Sequence, residues 1–445
     1  MNKVDVAILG AGPAGLFAAK CLVGSGLKTV VIDRGSDPGT RTSISFGVGG
    51  AGAFSDGKLN LTPKIGGDPT DLGRNETEIQ SYIDQVDAVF TRFGAPEKYS
   101  GADKEGLVDI KRRASRYGIE FISGRQRHMG TTRVRRMVDL FYRYLLDSQI
   151  SFSLDNQVKR IEVKNKVFIL HGGGNENIEA HYLIATPGRA GAYWLREEAN
   201  RLGIVTEYGP IDVGVRVEFP AEIYTTIEEV MYDAKLRVRT ATYDDMVRTF
   251  CTNPRGFVVT ETYEEFVLVN GHAENEGETQ NTNFALLSHI DLTDPVEDTT
   301  EYGRAIAKLA TTIGGGKPII QRLKDLKNGR RSTLERLQRA TIGPTLVDVT
   351  PGDISMALPA RIVANILEGL DQLDNIIPGL AADNTLLYAP EIKFYDTRYP
   401  VNRSMETRIP GFFVAGDASG HCRGIVYSAV TGLIAGEAIR KRERV

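Results

Sequence analysis

Short apolar runs closed by glycine, set between amphipathic stretches, organise this chain. Residues 4–9, VDVAIL, read as a β-type run; GAGPAG follows at once, and 16–22 continue in good helix formers until Gly24 and Gly26 end them. KTVVID then supplies a second strand closing on Asp33. EIQSYIDQVDAVFTRFG and GLVDIKRRASRYG have helical periodicity, as does RVRRMVDLFYRYLLDS, whose Val134, Met137, Val138, Phe141 and Leu145 share one face. Residues 151–186 hold short alternating strands, a meander that returns to LIATPG. From 206 to 345, DVGVRVEF, GFVVTETYEEFVLVNGH and NFALLSHIDL predict an antiparallel sheet, with a helix near 301–313. TPGDISMALPARIVANILEGLDQL leads back to a last strand in IPGFFVAGD and to a helix over 425–440, expected to be amphipathic.

Composition changes this picture little. The 445 residues suggest two or three domains, and 41% hydrophobic content is enough for a sizeable core. With 54 basic against 57 acidic residues, net -3, no overall field favours nucleic acid or an anionic membrane. Cys21, Cys251 and Cys422 lie far apart and form no C-x-x-C pair, so neither a disulfide framework, a dithiol centre nor a metal site is expected, and a reducing cytoplasm is the expected home. No uninterrupted apolar run reaches the ~18 residues of a membrane span. The apolar start of the chain lacks a basic flank and a small-residue cleavage site, so it does not read as a signal peptide.

The chemistry begins in the first strand–turn–helix. Gly10 suits the tight turn, Gly12 lets the backbone approach a pyrophosphate, and Gly15 permits close packing of helix on strand, with Pro13 and Ala14 opening the helix whose N-terminus is the anion site. Asp33 lies 18 residues beyond Gly15, near the ~20 expected of a carboxylate on an adenosine ribose. Either NAD or FAD satisfies this pattern. Between Asp33 and Pro63, RTSISFGVGGAGAFSDGKLNLT carries Gly49, Gly50 and Gly52 among apolar residues, which suits backbone N–H groups crowding a ligand. The only other glycine cluster, TTIGGGKPII, follows a helix and lacks the continuation of a second dinucleotide motif.

At the far end, IPGFFVAGDASG resembles the second flavin fingerprint of FAD enzymes with the glutathione-reductase type of fold, which implies FAD and places Asp417, after Gly416, on the ribityl chain. NIEAHYLIATPG resembles the strand and turn that return such chains to the FAD domain, with Thr186 and Gly188 in register and Pro187 where glycine is usual. Together, GGAGAFSDGKL, RTFCTNPRGFVV with LVNGHAE, TPGDISMALP and GDASGHCRGIVYSAVTGL resemble a group of FAD-dependent, or NAD(FAD)-utilising, dehydrogenases along nearly the whole chain. The resemblance specifies cofactor and architecture and says almost nothing of substrate. It departs at Asn253, where a second cysteine is common, and at His421 and Cys422, where tyrosine and alanine are usual.

The expected architecture is α/β: a Rossmann-like FAD-binding domain with a parallel sheet and β-meander, plus a substrate-side α+β domain with an antiparallel sheet. Residues 1–65, 118–205 and 346–445 make the FAD domain, 66–117 a helical excursion, and 206–345 the substrate side. The cofactor set comprises the fingerprint residues above with Arg34, Arg41, Ser43, Ser55, Asp56, Val158, Gly424 and Ile425. His421, Cys422, Arg423 and Lys58 are the catalytic candidates. His421 is read as a proton relay or as a histidine bonded to flavin or a backbone carbonyl, Cys422 as nucleophile or packing, and Arg423 as substrate-carboxylate ligand or surface ion pair. The expected activity is hydride transfer between flavin N5 and a small organic substrate, with NAD(P)H only a transient donor. A flavin-binding carrier or regulator, and a flavin monooxygenase, stay open.

Overall fold

The computed structural model describes residues 2–54, 57–173, 177–273, 277–290, 292, 298–394 and 397–444. It divides into two compact units, residues 1–99, 127–209 and 396–445, and residues 100–126 and 210–395.

In the first unit, strand Asn2–Leu9 runs parallel between Thr29–Ile32 and Ile178–Ala185, with Val6 opposite Thr29 and Tyr182. Ser151–Ser153 extends the sheet beyond Thr29–Ile32, and Phe412–Val414 joins the last residues of Ile178–Ala185. Arg160–Lys164 and Val167–His171 complete it as the antiparallel meander that the sequence predicts. Val6 to Leu9 are buried on both faces, which is why VAIL reads as a continuous apolar run rather than an alternating one.

One face of this sheet is covered by helices Pro13–Leu22, Glu76–Arg92, Thr131–Asp147 and Ile425–Glu443. Phe17 meets Phe90 and Phe141 edge-on at 5.1 and 5.2 Å. Thr131–Asp147 buries Val134, Met137, Val138, Phe141 and Leu145, the face expected from its periodicity. Glu76–Arg92 opens with a capping box between Asn75 and Glu78, satisfying amide groups that a helix start leaves unpaired. The last helix differs from expectation. Residues 426–436 are buried on every side, and the polar face appears only in the final turns, because Pro13–Leu22, Glu76–Arg92 and strand Lys58–Leu61 all pack against it.

The second unit is built on an eight-stranded sheet in the order Thr350–Pro351, Ile319–Arg322, Leu386–Phe394, Ile211–Pro220, Asn281–Ile290, Met246–Asn253, Lys235–Arg239, Glu120–Ile122. Nearly all of it is antiparallel, as predicted, and the predicted helix is Thr299–Ile313. Its boundaries are not the predicted ones. Leu386–Phe394 pairs along Ile211–Pro220, and helix Ala360–Leu373 packs on the same sheet, so the unit closes at 395 rather than 345. The 66–117 excursion is also split, Glu76–Arg92 falling in the first unit and Lys104–Ser115 in the second. Val213, Val215 and Val217 face the helices, while Asp212, Arg216 and Glu218 alternate onto the other side. Phe257–Thr262 and Val267–His272 form a separate hairpin instead of joining the large sheet. Cys251 is half-buried with φ 49°, where the register of its strand shifts between Phe250 and Asn253.

Candidate functional site

Every predicted site residue that the structure describes falls in the first unit; Ser55 and Asp56 lie outside the described residues. The centre is the N-terminus of helix Pro13–Leu22, capped by Gly12 with Pro13 at its first position, where the missing proline N–H costs nothing. A Cβ on Gly15 would stand 1.9 Å from the carbonyl oxygen of Gly10 and 3.0 Å from Thr186 Oγ1, so helix and strand approach as closely as they do only because no side chain intervenes. On Gly12 a Cβ would meet nothing nearer than the Cα of Gly50 at 3.9 Å, which leaves open space over the amide groups of the helix start.

Four other segments close on this point. Thr186 donates its hydroxyl to the carbonyls of Leu9 and Gly10, at 2.8 and 2.9 Å, and leads through Pro187 and Gly188 into the turn Arg189–Gly191. The Gly49 amide donates to Ala11 O at 2.8 Å and starts the short turn Gly50–Phe54, in which Gly50 lies against Gly12 and Gly52 against Pro13 and Ile425. Gly416 backs onto Ala14, and its amide donates to Thr431 Oγ1 at 2.9 Å. Asp417 accepts from Ser428 Oγ at 2.6 Å, with the Arg189 guanidinium 3.8 Å away. Exposed Gly424 caps the last helix, whose first residue is Ile425.

The remaining cofactor candidates hold the site's loops. Asp33 Oδ2 accepts from the Ala11 amide at 2.8 Å, and Oδ1 accepts from Gly35 and Gly47 at 2.9 and 2.8 Å. Most of its acceptor capacity is therefore spent on backbone. Arg41 spreads its guanidinium over the carbonyls of Ser43, Ile44, Gly47 and Val48, and burial pulls its pKa down to about 10. Ser43 Oγ accepts from the Ser45 and Phe46 amides, and Arg34 lies 3.0 Å over the ring of Phe46. The Val158 side chain is part of the core under the sheet's other face, and Lys58 begins strand Lys58–Leu61 half-buried.

The opening of the last helix is tied down by residues 63–67. Tyr427 donates its hydroxyl to Pro63 O at 2.6 Å, the Arg423 amide donates to Gly66 O at 2.6 Å, and Gly67 bridges Cys422. His421 is 7% exposed and donates Nε2–H to the Tyr399 carbonyl at 2.7 Å, since a carbonyl can only accept. Its buried Nδ1 has no hydrogen-bond partner among the described residues, and burial lowers the ring's pKa below its ordinary value. Burial also pushes the Cys422 thiol up to about 12, with Asp417 adding to the rise. A buried thiol raised in this way is a weak nucleophile near neutral pH, and Cys422 packs beside Ser428 and Thr431. Ser428 and Thr431 themselves were not singled out from the sequence. Their signal was two hydroxyls, three residues apart, in an otherwise apolar stretch of helix.

Two family models match the chain: an FAD binding domain over residues 3–43, and a domain described as FAD-dependent protein, C-terminal domain-like, over 210–394. The first covers the fingerprint turn, the Asp33 knot and Arg41; the second coincides with most of the second unit. The chain is an FAD-binding flavoprotein. A helix N-terminus with open space at Gly12 and glycine turns around it fits that cofactor. The flavoprotein is 26% identical over 483 aligned positions to an uncharacterized protein of Clostridium beijerinckii, covering 98% of this chain and 81% of that one. A thiamine thiazole synthase of Pyrobaculum aerophilum is 48% identical over 64 residues, 14% of this chain and 20% of that enzyme. Among solved structures, a 3-ketosteroid-Δ4-(5α)-dehydrogenase of Rhodococcus jostii superposes with a TM-score of 0.47 at 13% identity, covering 100% of this chain and 97% of that one. No helix among the described residues is long and apolar enough to cross a membrane.

Proposed function

We propose that this flavoprotein transfers a hydride between N5 of bound FAD and a carbon of a small organic substrate. The observation that supports this reading is the direct contact of five separate segments, 10–15, 49–52, 186–188, 416–417 and the start of the last helix, around one helix N-terminus. When bound, FAD supplies the two-electron redox chemistry. The first amide groups of Pro13–Leu22 hold the pyrophosphate, and Asp417, oriented by Ser428, takes a ribityl hydroxyl. Asp33 and Arg41 act through backbone, holding the loops that wall the cleft. The N-terminus of Ile425–Glu443 favours negative charge at its end. His421 has its Nε2–H committed to Tyr399, so Nδ1 is its one basic atom and the ring serves as an acceptor, not as an acid. Cys422 fills space.

With no second dinucleotide motif in the chain, NAD(P)H enters only as a transient donor, and the organic substrate is an equal source of electrons. The test mixes purified protein anaerobically with NADH, NADPH and a panel of small organic acids while the visible flavin band is followed. Bleaching by one of them names the reductive half-reaction. Protein that is colourless and takes up no added FAD overturns the reading, and rapid NAD(P)H oxidation with peroxide release moves it to a monooxygenase.

A further inference from the structure

In the second unit, Glu218 is a buried carboxylate with no ion-pair partner among the described residues. It lies on strand Ile211–Pro220, between Asn283 and Leu386 of the two neighbouring strands. Neutral groups fill its acceptors: the Thr345 hydroxyl at 2.5 Å, the Thr345 amide at 3.3 Å, the Tyr388 hydroxyl at 2.5 Å and the Asn281 side chain. The cations of this part of the sheet are engaged elsewhere, Arg216 and Lys393 on Glu391 and Arg322 on the Arg336 carbonyl.

Thr345 belongs to residues 338–349, a stretch with neither helix nor strand that runs from helix Leu334–Leu337 to strand Thr350–Pro351. Ala340, Ile342, Leu346 and Val349 of this stretch pack on Val258, Val269, Ile320, Leu386 and Tyr388, so it covers an apolar patch shared by the sheet and the hairpin. Thr345 is where it is fastened. The hydroxyl that donates to Glu218 also accepts from the Val258 amide at 3.0 Å, Tyr388 Oη lies against the Thr345 and Leu346 amides, and Asn281 Nδ2 donates to Gly343 O at 2.8 Å. A carboxylate buried among neutral donors costs more ionised than protonated, and burial raises the pKa of Glu218 above its ordinary value despite those hydrogen bonds. Once the stretch lifts and water reaches the carboxyl, that cost is gone. Ionisation therefore favours the lifted state. The other charged groups on the elements around Glu218 are Asp212, Arg216, Glu391, Lys393 and Arg322 in the sheet, Glu222 just after its own strand, Glu261 in the hairpin, and Arg336, Arg339 and Asp348 in or beside the stretch, with the histidines His272 and His289 at strand ends.

We propose that Glu218 is a pH-released latch: protonated, it holds residues 338–349 against the sheet, and ionised, it lets them lift from the apolar patch beneath. The latch is internal to the second unit and stands whether or not the redox reading does. With the stretch lifted the carboxyl titrates at an ordinary 4.5, and with it docked at a higher value. Docking is therefore strongest below pH 4.5 and weakens by up to roughly tenfold per pH unit as pH rises through the docked value. Hydrogen exchange of the holoprotein, read by mass spectrometry and corrected for intrinsic rates from acid to mildly alkaline pH, follows it. Protection of 338–349 is expected to fall in that way while strand Asn281–Ile290 stays protected. In Glu218→Gln, which keeps an oxygen for Thr345 and carries no charge, protection is expected to stay level. Level protection in the wild type overturns the proposal, and so does a slope that survives in Glu218→Gln, which would belong to His272 or His289. Should Glu218→Gln fail to fold, Thr345→Val decides the matter beside the wild-type profile. It keeps the carboxylate and removes the hydroxyl that joins it to the stretch, so roughly tenfold lower protection of 338–349 at acid pH is expected, and unchanged protection overturns the proposal.

Discussion

Asp33 separates two accounts of the cofactor domain, and Asp33→Asn distinguishes them. By sequence Asp33 is a ribose ligand; in the structure its two oxygens receive the amides of Ala11, Gly35 and Gly47. An asparagine that keeps its oxygen toward Gly35 and Gly47 turns an NH2 toward the Ala11 N–H, losing one charge-assisted bond and opposing two donors. A bond of that kind contributes roughly 1.5–3 kcal/mol, so about 2–3 kcal/mol of stability is at stake. For a unit of this size that lowers the melting temperature by roughly 4–12 °C. The loss is present without FAD, because every bond involved is internal to the protein. Melting followed on FAD-stripped wild type and variant is the assay. If the stripped variant melts within about 1 °C of wild type while only its FAD affinity falls, Asp33 is a ribose ligand and the knot is incidental.

Three further outcomes are expected. Thr431→Val removes the acceptor of the buried Gly416 amide, costing roughly 1–3 kcal/mol, and lower FAD affinity with lower stability is the expected result; unchanged thermal and FAD titrations would contradict it. Burial alone would raise the pKa of Asp212, but Arg248 and His289 outweigh it and hold the carboxyl at about 2 against an ordinary 3.8. The unfolded chain thus takes up this proton at higher pH, so about 2 kcal/mol of stability present above pH ~4 is lost as pH falls towards ~2; Asp212→Asn should flatten that limb of an acid titration, and an unaltered slope argues against it. Cys422, its thiol pushed up to about 12, should resist iodoacetamide in the native protein and react after denaturation, whereas stoichiometric native labelling seen by mass spectrometry would contradict its burial.

The sequence alone determined the elements whose cause is local. The run before GAGPAG, the helix after it, the meander, and the face of Thr131–Asp147 all follow from side-chain spacing and glycine placement within some ten residues. FAD was legible for the same reason, since each fingerprint is one turn with its flanking elements. Only the tertiary structure decided who meets whom: Gly47 with Asp33, Ser428 with Asp417, Tyr399 with His421. It also decided that Leu386–Phe394 belongs to the second unit, because a strand's own residues do not name the neighbour whose backbone it will pair with. Glu391 is of the same kind: only the sheet sets Arg216 and Lys393, far apart along the chain from one another, against one of its oxygens.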